Sequence, residues 1–252
     1  MPARLARIGG LGLRGLFALL LAVRGPRPIH PHGLVLRGEA VWLEGRARSG
    51  VSWIDEAPPR RVPVVGRLSR SVGLPDRLPD VLGLALRFGC EGGRVDLALS
   101  STGIGFPGRF VLAAHRSPTR ATFGSLIPYA SPGGPLLLCA RAVPRRPLPP
   151  DLGGIREAIE REPWRVRLFF ATPAGRWHAF AEAVLRPGPE GDDPAVRFDP
   201  VAHPVPGAGT YPWVRALRQP SYRLVQRRAR PHPGAVGPGP RPGRADAAGH
   251  GG

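Results

Sequence analysis

Two histidines separated by one proline, His30 and His32 in Pro28-Ile29-His30-Pro31-His32-Gly33, are the first residues whose types and spacing could do chemistry. Imidazole is both a common metal ligand and an acid or base near neutral pH. On a strand-like segment, positions i and i+2 point the same way, as a metal pair requires. No Asp, Glu or Cys stands beside them to complete a ligand set, so the support for a metal is thin. Cys90 and Cys139 are the two thiols, and neither lies in a CxxC. That argues against a zinc site or a disulfide scaffold and fits structural cysteines in a reducing, cytoplasmic compartment. GxSxG, a Walker loop, HExxH and a strand-flanked GxGxxG are all missing, and Gly103-Ile104-Gly105 and Gly9-Gly10-Leu11-Gly12 are too incomplete to cradle phosphate. No Asp/His cluster supports a metal-dependent phosphodiesterase.

Any site must be positioned mostly by strands. Residues 62–103 alternate apolar and polar positions and break at Gly73-Leu74-Pro75-Asp76 and again at Gly92-Gly93, which predicts three strands. Residues 34–43 predict a strand with Leu34, Leu36, Ala40 and Trp42 on one face. Between them, residues 46–61 read as an Arg- and Pro-rich connection. Further strands are expected at 109–115, 135–143, 164–172 and 177–185, the last two as a hairpin around Pro173-Ala174-Gly175, with one more short strand at 196–198. Residues 119–129 read as a short helix or irregular crossing. Residues 151–162 predict a helix capped by Asp151, with Ile155 and Ile159 on its buried face. The sum is a mainly β, α+β chain: an eight-stranded antiparallel barrel with a few added helices.

The 252 residues suffice for one sizeable core. Residues 11–23 are apolar but interrupted by Arg14, short of the ~20 residues needed to span a bilayer. An amphipathic helix within residues 1–27, packed on the domain, is the plainer expectation, and peripheral membrane contact is its rival. Residues 28–228 make the barrel domain, ending in helical sequence at 212–228, and residues 229–252 form a disordered Pro-, Gly- and Arg-rich tail. All 36 Lys+Arg residues are Arg, and the net charge is +18. Arg is spread along the chain rather than gathered in a patch interleaved with aromatics, so nucleic acid is not an expected partner. The composition is compatible with an oligomer.

Four segments, in order and at matching spacing, give residues 28–115 a resemblance to the haem-binding core of the catalase family. The family's H-x-x-G-x-x-x-x-G is met by His30, Gly33 and Gly38. Its T/V-P-V-x-x-R-F-S-x-x-x-G is met by Val62-Pro63-Val64, Arg67-Leu68-Ser69 and Gly73, with Leu68 for Phe. R-D-x-R-G-F-A-x-K-F is answered by residues 79–88, with Leu82 in place of an Arg, and D-L-x-G-N-N-T-P by residues 96–103. A fifth segment, Arg218-Gln219-Pro220-Ser221-Tyr222, has the family's proximal R-x-x-x-Y form.

The resemblance implies a minimal catalase-like barrel, without the long arm and C-terminal helical domain of full-length catalases. It implies haem as cofactor, and hydrogen peroxide or an organic hydroperoxide as the small-molecule substrate. His30 is then the distal acid–base residue, Arg67 the partner of a haem propionate and Ser69 the hydrogen-bond partner of the distal histidine. Tyr222 is the proximal ligand of the haem iron, its phenol acidified by the Arg218 guanidinium. The family's distal Asn falls on Ser100, and the chain contains no Asn at all. Serine donates one hydrogen bond at shorter reach. An alternative therefore stands beside the enzyme: a catalase-like barrel without haem chemistry that binds a small ligand. His30 as a cap of the first strand, Arg67 and Ser69 as barrel polar residues and Tyr222 as a packing residue are the corresponding plain roles; His32, His115, His178 and His203 are expected to be structural or exposed.

Overall fold

The computed structural model describes residues 33–58, 61–71, 74–90, 93–189 and 196–211. The chain divides into two units, Met1–Leu217 and Arg218–Gly252, and all of these residues belong to the first. The strands are β1 (Gly33–Trp42), β2 (Val62–Arg70), β3 (Asp80–Cys90), β4 (Gly93–Thr102), β5 (Ala114–His115), β6 (Thr122–Gly124), β7 (Tyr129–Ser131), β8 (Gly134–Ala142), β9 (Trp164–Ala171) and β10 (His178–Pro187). Eight of them close into an antiparallel barrel in the order β1-β2-β3-β4-β6-β8-β9-β10 and back to β1. Two short strands stand off this ring, β5 on β3 and β7 on β8.

Closure makes the period-2 pattern decisive, because one face of every strand then meets the interior. Leu34, Leu68, Leu84 and Leu99 stand in register across β1 to β4 and are all buried. In the next layer Gly66 lies between Leu36 and Leu86, and a methyl there would come 3.2 Å from Leu86 Cδ2. One mouth is filled by aromatics. Trp53 from the short helix α1 (Ser52–Asp55) packs edge-on against Trp42, Phe88 and Phe180 at centroid distances of 5.4, 5.2 and 5.6 Å. The Trp42 indole N–H donates to the Trp53 carbonyl at 2.9 Å. The stretch 46–61, expected as a connection, thus carries a plug. Helix α2 (Leu152–Arg161) begins as expected, with the Asp151 carboxylate accepting from the Gly154 amide at 2.6 Å, and buries Ile155, Ala158 and Ile159. No helix among the described residues is long and apolar enough to cross a membrane.

Three expectations are corrected. Residues 109–115 do not form a barrel strand: Gly108–Phe110 is a 3-10 turn, Leu112 makes a single bridge to Thr102, and Ala114–His115 pair with β3. The barrel strand in that part of the chain is β6, within the stretch expected to be a helix or crossing. At three residues it is too short to display a period and is held by β4 and β8 on either side. Residues 196–198 form no strand. They are fastened to the outer side of the barrel by Arg87, which donates to the Arg197 carbonyl and lies 5.1 Å from the Phe198 ring centroid.

Candidate functional site

The same alternation that sends leucines inward sends the neighbouring small residues outward. Gly33 on β1 stands opposite Ser69 on β2, Ser69 opposite Gly83 on β3, Gly83 opposite Ser100 on β4, and Ser100 opposite Gly124 on β6. Residues directly opposite share a face, so Gly-Ser-Gly-Ser-Gly forms one row across five strands on the outside of the barrel. Nothing in that row is larger than a hydroxymethyl group, and the result is a flat floor. Ser69 and Ser100 sit on either side of Gly83, two interstrand spacings of about 4.8 Å, hence roughly 10 Å, apart. Ser69 is buried and its hydroxyl donates to the Gly83 carbonyl at 3.4 Å, a long bond; Ser100 is half-buried.

Arg67 lies two positions before Ser69 and so on the same outer face. Its guanidinium is laid over Gly33: a Cβ built there would come 2.6 Å from Cζ, 2.8 Å from Nη2 and 3.0 Å from Nε. The absence of a side chain at Gly33 is therefore what lets this cation rest at the edge of the floor. Gly38, five residues on, is glycine for a different reason. A Cβ there would lie 1.8 Å from the Val184 carbonyl oxygen of β10, where only the bare backbone fits. At the other end of the floor the Thr102 side chain covers Gly124, 2.6 Å from where a Cβ would stand.

Beyond Gly124 the row continues to Cys139 on β8, and there the surface rises into a wall. Leu137 packs with Phe110, Leu126 and Ile127 on this side. Arg109 is buried in the same region, donating to the Thr172 carbonyl at 3.0 Å, with its Cζ 4.7 Å from the Trp177 ring centroid. Burial pulls its guanidinium below the ordinary arginine value. Burial likewise pushes the Cys139 thiol well up, the charge of Arg109 opposing it, and pushes up the Cys90 thiol. Both cysteines are free thiols held in their unreactive form.

Of the residues singled out by sequence, the structure therefore brings Arg67, Ser69 and Ser100 onto one outer face. His30, His32, Arg218 and Tyr222 lie outside the described residues. Leu82, a departure from the family pattern, is buried on the inward face of β3, so that departure leaves the floor untouched. Arg87 and Asp96, both in matched segments, form a two-pronged ion pair at 2.7 and 2.7 Å whose carboxylate also accepts from the Asp199 amide at 2.7 Å. Their role is to tie down the chain that follows β10. His203 accepts from Arg94 at 2.7 Å, His178 is exposed, and His115 has a buried Nε2. Among the described residues no three His, Cys, Asp or Glu side chains gather as a metal site would need. Gly83, Gly124 and Arg109 were missed as site residues. The period-2 parity of β3 could have placed Gly83, whereas Gly124 and Arg109 fall in the stretch whose elements were misassigned.

No family model matches the sequence, and no curated protein matches it either. Among solved structures, catalase A from Saccharomyces cerevisiae is similar at 12% identity over 81% of this chain and 61% of that chain, with a TM-score of 0.57. A fungal catalase is similar at 15% identity over 84% and 61%, with a TM-score of 0.61. A bacterial catalase is similar at 14% identity over 80% and 56%, with a TM-score of 0.50. The chain thus has a catalase-like fold and spans 56 to 61% of the length of those catalases.

Proposed function

We propose that this catalase-like barrel is a haem protein acting on hydrogen peroxide or organic hydroperoxides. The observation that carries the reading is the outer floor of Gly33, Ser69, Gly83, Ser100 and Gly124 with the Arg67 guanidinium at its edge. A flat macrocycle needs a floor of small residues, and its carboxylates need a cation at the rim. Both are present in the described residues, so these residues fit the group. Bound haem supplies redox-active iron, the source of peroxide chemistry in such proteins. Arg67 would hold a carboxylate and Ser100 would present a hydroxyl donor above the floor, while the Ser69 hydroxyl donates to the Gly83 carbonyl. On the sequence resemblance alone, His30 would accept and return a proton, and Tyr222, its phenol acidified by Arg218, would be the protein's ligand to iron.

The test is spectroscopic. Full-length protein incubated with haem is expected to show a Soret band and peroxide turnover, with the turnover lost in His30→Ala and the Soret band shifted in Tyr222→Phe. A protein that takes up no haem overturns the proposal. The shorter Ser100 in place of the family's Asn favours a second reading, a small-ligand barrel without haem chemistry. Turnover at the same low level in wild type, His30→Ala and Tyr222→Phe would support that reading instead.

A further inference from the structure

A cavity of about 300 Å3 opens where the ends of β8, β9 and β10 meet the loop after β1, and it shares no residue with the floor. That volume is at the small end of ligand pockets, which begin near ~300 Å3. Its apolar side is made by Leu136 and Phe170, both buried, with His178 stacked on the Phe170 ring at 5.4 Å between centroids and 27° between planes. Its rim carries Arg48 and Arg176, both exposed, and no Asp or Glu is among its lining residues. Neither guanidinium forms an ion pair with a carboxylate among the described residues. Arg48 lies close enough to Asp55 to feel its charge. That carboxylate is already occupied: it accepts from the Ser49 amide at 2.8 Å, the Ser49 hydroxyl at 2.9 Å and the Gly50 amide at 2.8 Å.

We propose that this pocket binds a small organic carboxylate with a flat apolar body. Two guanidinium forks at the rim match a carboxylate and give it charge-assisted hydrogen bonds. The slot between Leu136 and the Phe170–His178 stack takes the apolar part out of water, and it would leave a fully hydrated dianion such as inorganic phosphate poorly solvated.

Benzoate is the probe and benzamide its uncharged control, each titrated into the full chain by calorimetry. Benzoate is expected to bind at about millimolar strength, and benzamide about tenfold more weakly, since two charged contacts at a solvent-exposed rim are together worth roughly that factor. Arg48→Ala combined with Arg176→Ala is expected to weaken benzoate about tenfold and leave benzamide unchanged. These side chains are exposed, so the variant should fold, and its thermal transition checks that. No benzoate binding, equal affinity for the two probes, or benzoate binding unchanged in a folded double variant each overturns the proposal. Haem uptake plays no part in these outcomes.

Discussion

Gly33 and Gly38 stand five residues apart on one strand, and replacing each with alanine should have opposite consequences. At Gly38 the new methyl meets the Val184 carbonyl oxygen at 1.8 Å. Restoring an ordinary contact of 3.4 Å would require β10 to retreat by 3.4 − 1.8 = 1.6 Å. A shift of that size opens the pairing at Gly38↔Leu185 and Glu39↔Val184. Losing two or three buried backbone hydrogen bonds and forcing apart a packed barrel costs about 3–5 kcal/mol. At about 2–4 °C per kcal/mol, the midpoint of unfolding should fall by roughly 6–20 °C. At Gly33 the methyl meets the far end of a flexible side chain, which needs to move by 3.4 − 2.6 = 0.8 Å. A modest rotamer adjustment of Arg67 suffices, so stability should change by less than about 1 kcal/mol. The guanidinium stays near the floor's edge, so haem titration followed at the Soret band should weaken only a few-fold, whereas Arg67→Ala, which removes the charged contact, should weaken it about tenfold. Circular dichroism on heating, paired with that titration, separates the two effects. A Gly38→Ala protein as stable as wild type refutes the close approach of β1 and β10. A folded Arg67→Ala protein with wild-type haem affinity refutes the role given to Arg67.

Asp96→Ala removes a fully buried carboxylate from Arg87 and from the Asp199 amide; because Arg87 keeps some exposure to water, the expected loss is about 2–4 kcal/mol in urea unfolding, and a loss under about 0.5 would deny the pair a structural role. Burial holds the His115 imidazole below its ordinary value, so the unfolded chain binds that proton at higher pH than the folded one does. Its contribution therefore makes stability fall as pH drops below about 6.5, and His115→Gln should flatten the difference between unfolding curves at pH 7.5 and 5.5. An equally steep difference in the variant would acquit His115. Ser100→Asn supplies an amide that reaches further above the floor and both donates and accepts; peroxide turnover should rise several-fold, and an unchanged rate would place Ser100 away from the peroxide.

What was legible in the sequence follows from how many residues carried each signal. Long strands such as β1, β3 and β10 repeat the period several times, and their inward residues could be named from the pattern alone. Helix α2 announced itself through a capping aspartate and two isoleucines a turn apart. β6 offered three residues, and what makes it a strand is the pair of neighbours it bridges, contacts that sequence spacing does not report. The plug formed by α1 was hidden for a related reason: Trp53 and Ile54 are buried by the barrel mouth, with too few residues between them to show a helical stripe. Several motif residues have structural reasons that the sequence did not make evident. Gly33, Gly38, Arg87 and Asp96 fall in three of the matched segments, yet they answer to a resting place for a side chain, a close approach of two strands and an ion pair that fastens a loop.

The floor and the core are the same peptides read at opposite parity, and this limits how the site can vary. Leu34, Leu68, Leu84 and Leu99 each adjoin one of Gly33, Ser69, Gly83 and Ser100, so a slip of one residue in any of these four strands would put a leucine on the floor and a glycine or serine in the core. Each buried leucine contributes about 1.5–3 kcal/mol, which makes such a slip prohibitive and fixes the floor as a by-product of core packing. Small outward substitutions are then nearly free of cost to the fold. Ser100 is a position of this kind: its exchange for the family's longer Asn alters what stands above the floor without touching the leucine layer beneath. Stability and chemistry can therefore be probed separately in this barrel, by inward and outward substitutions on the same strand.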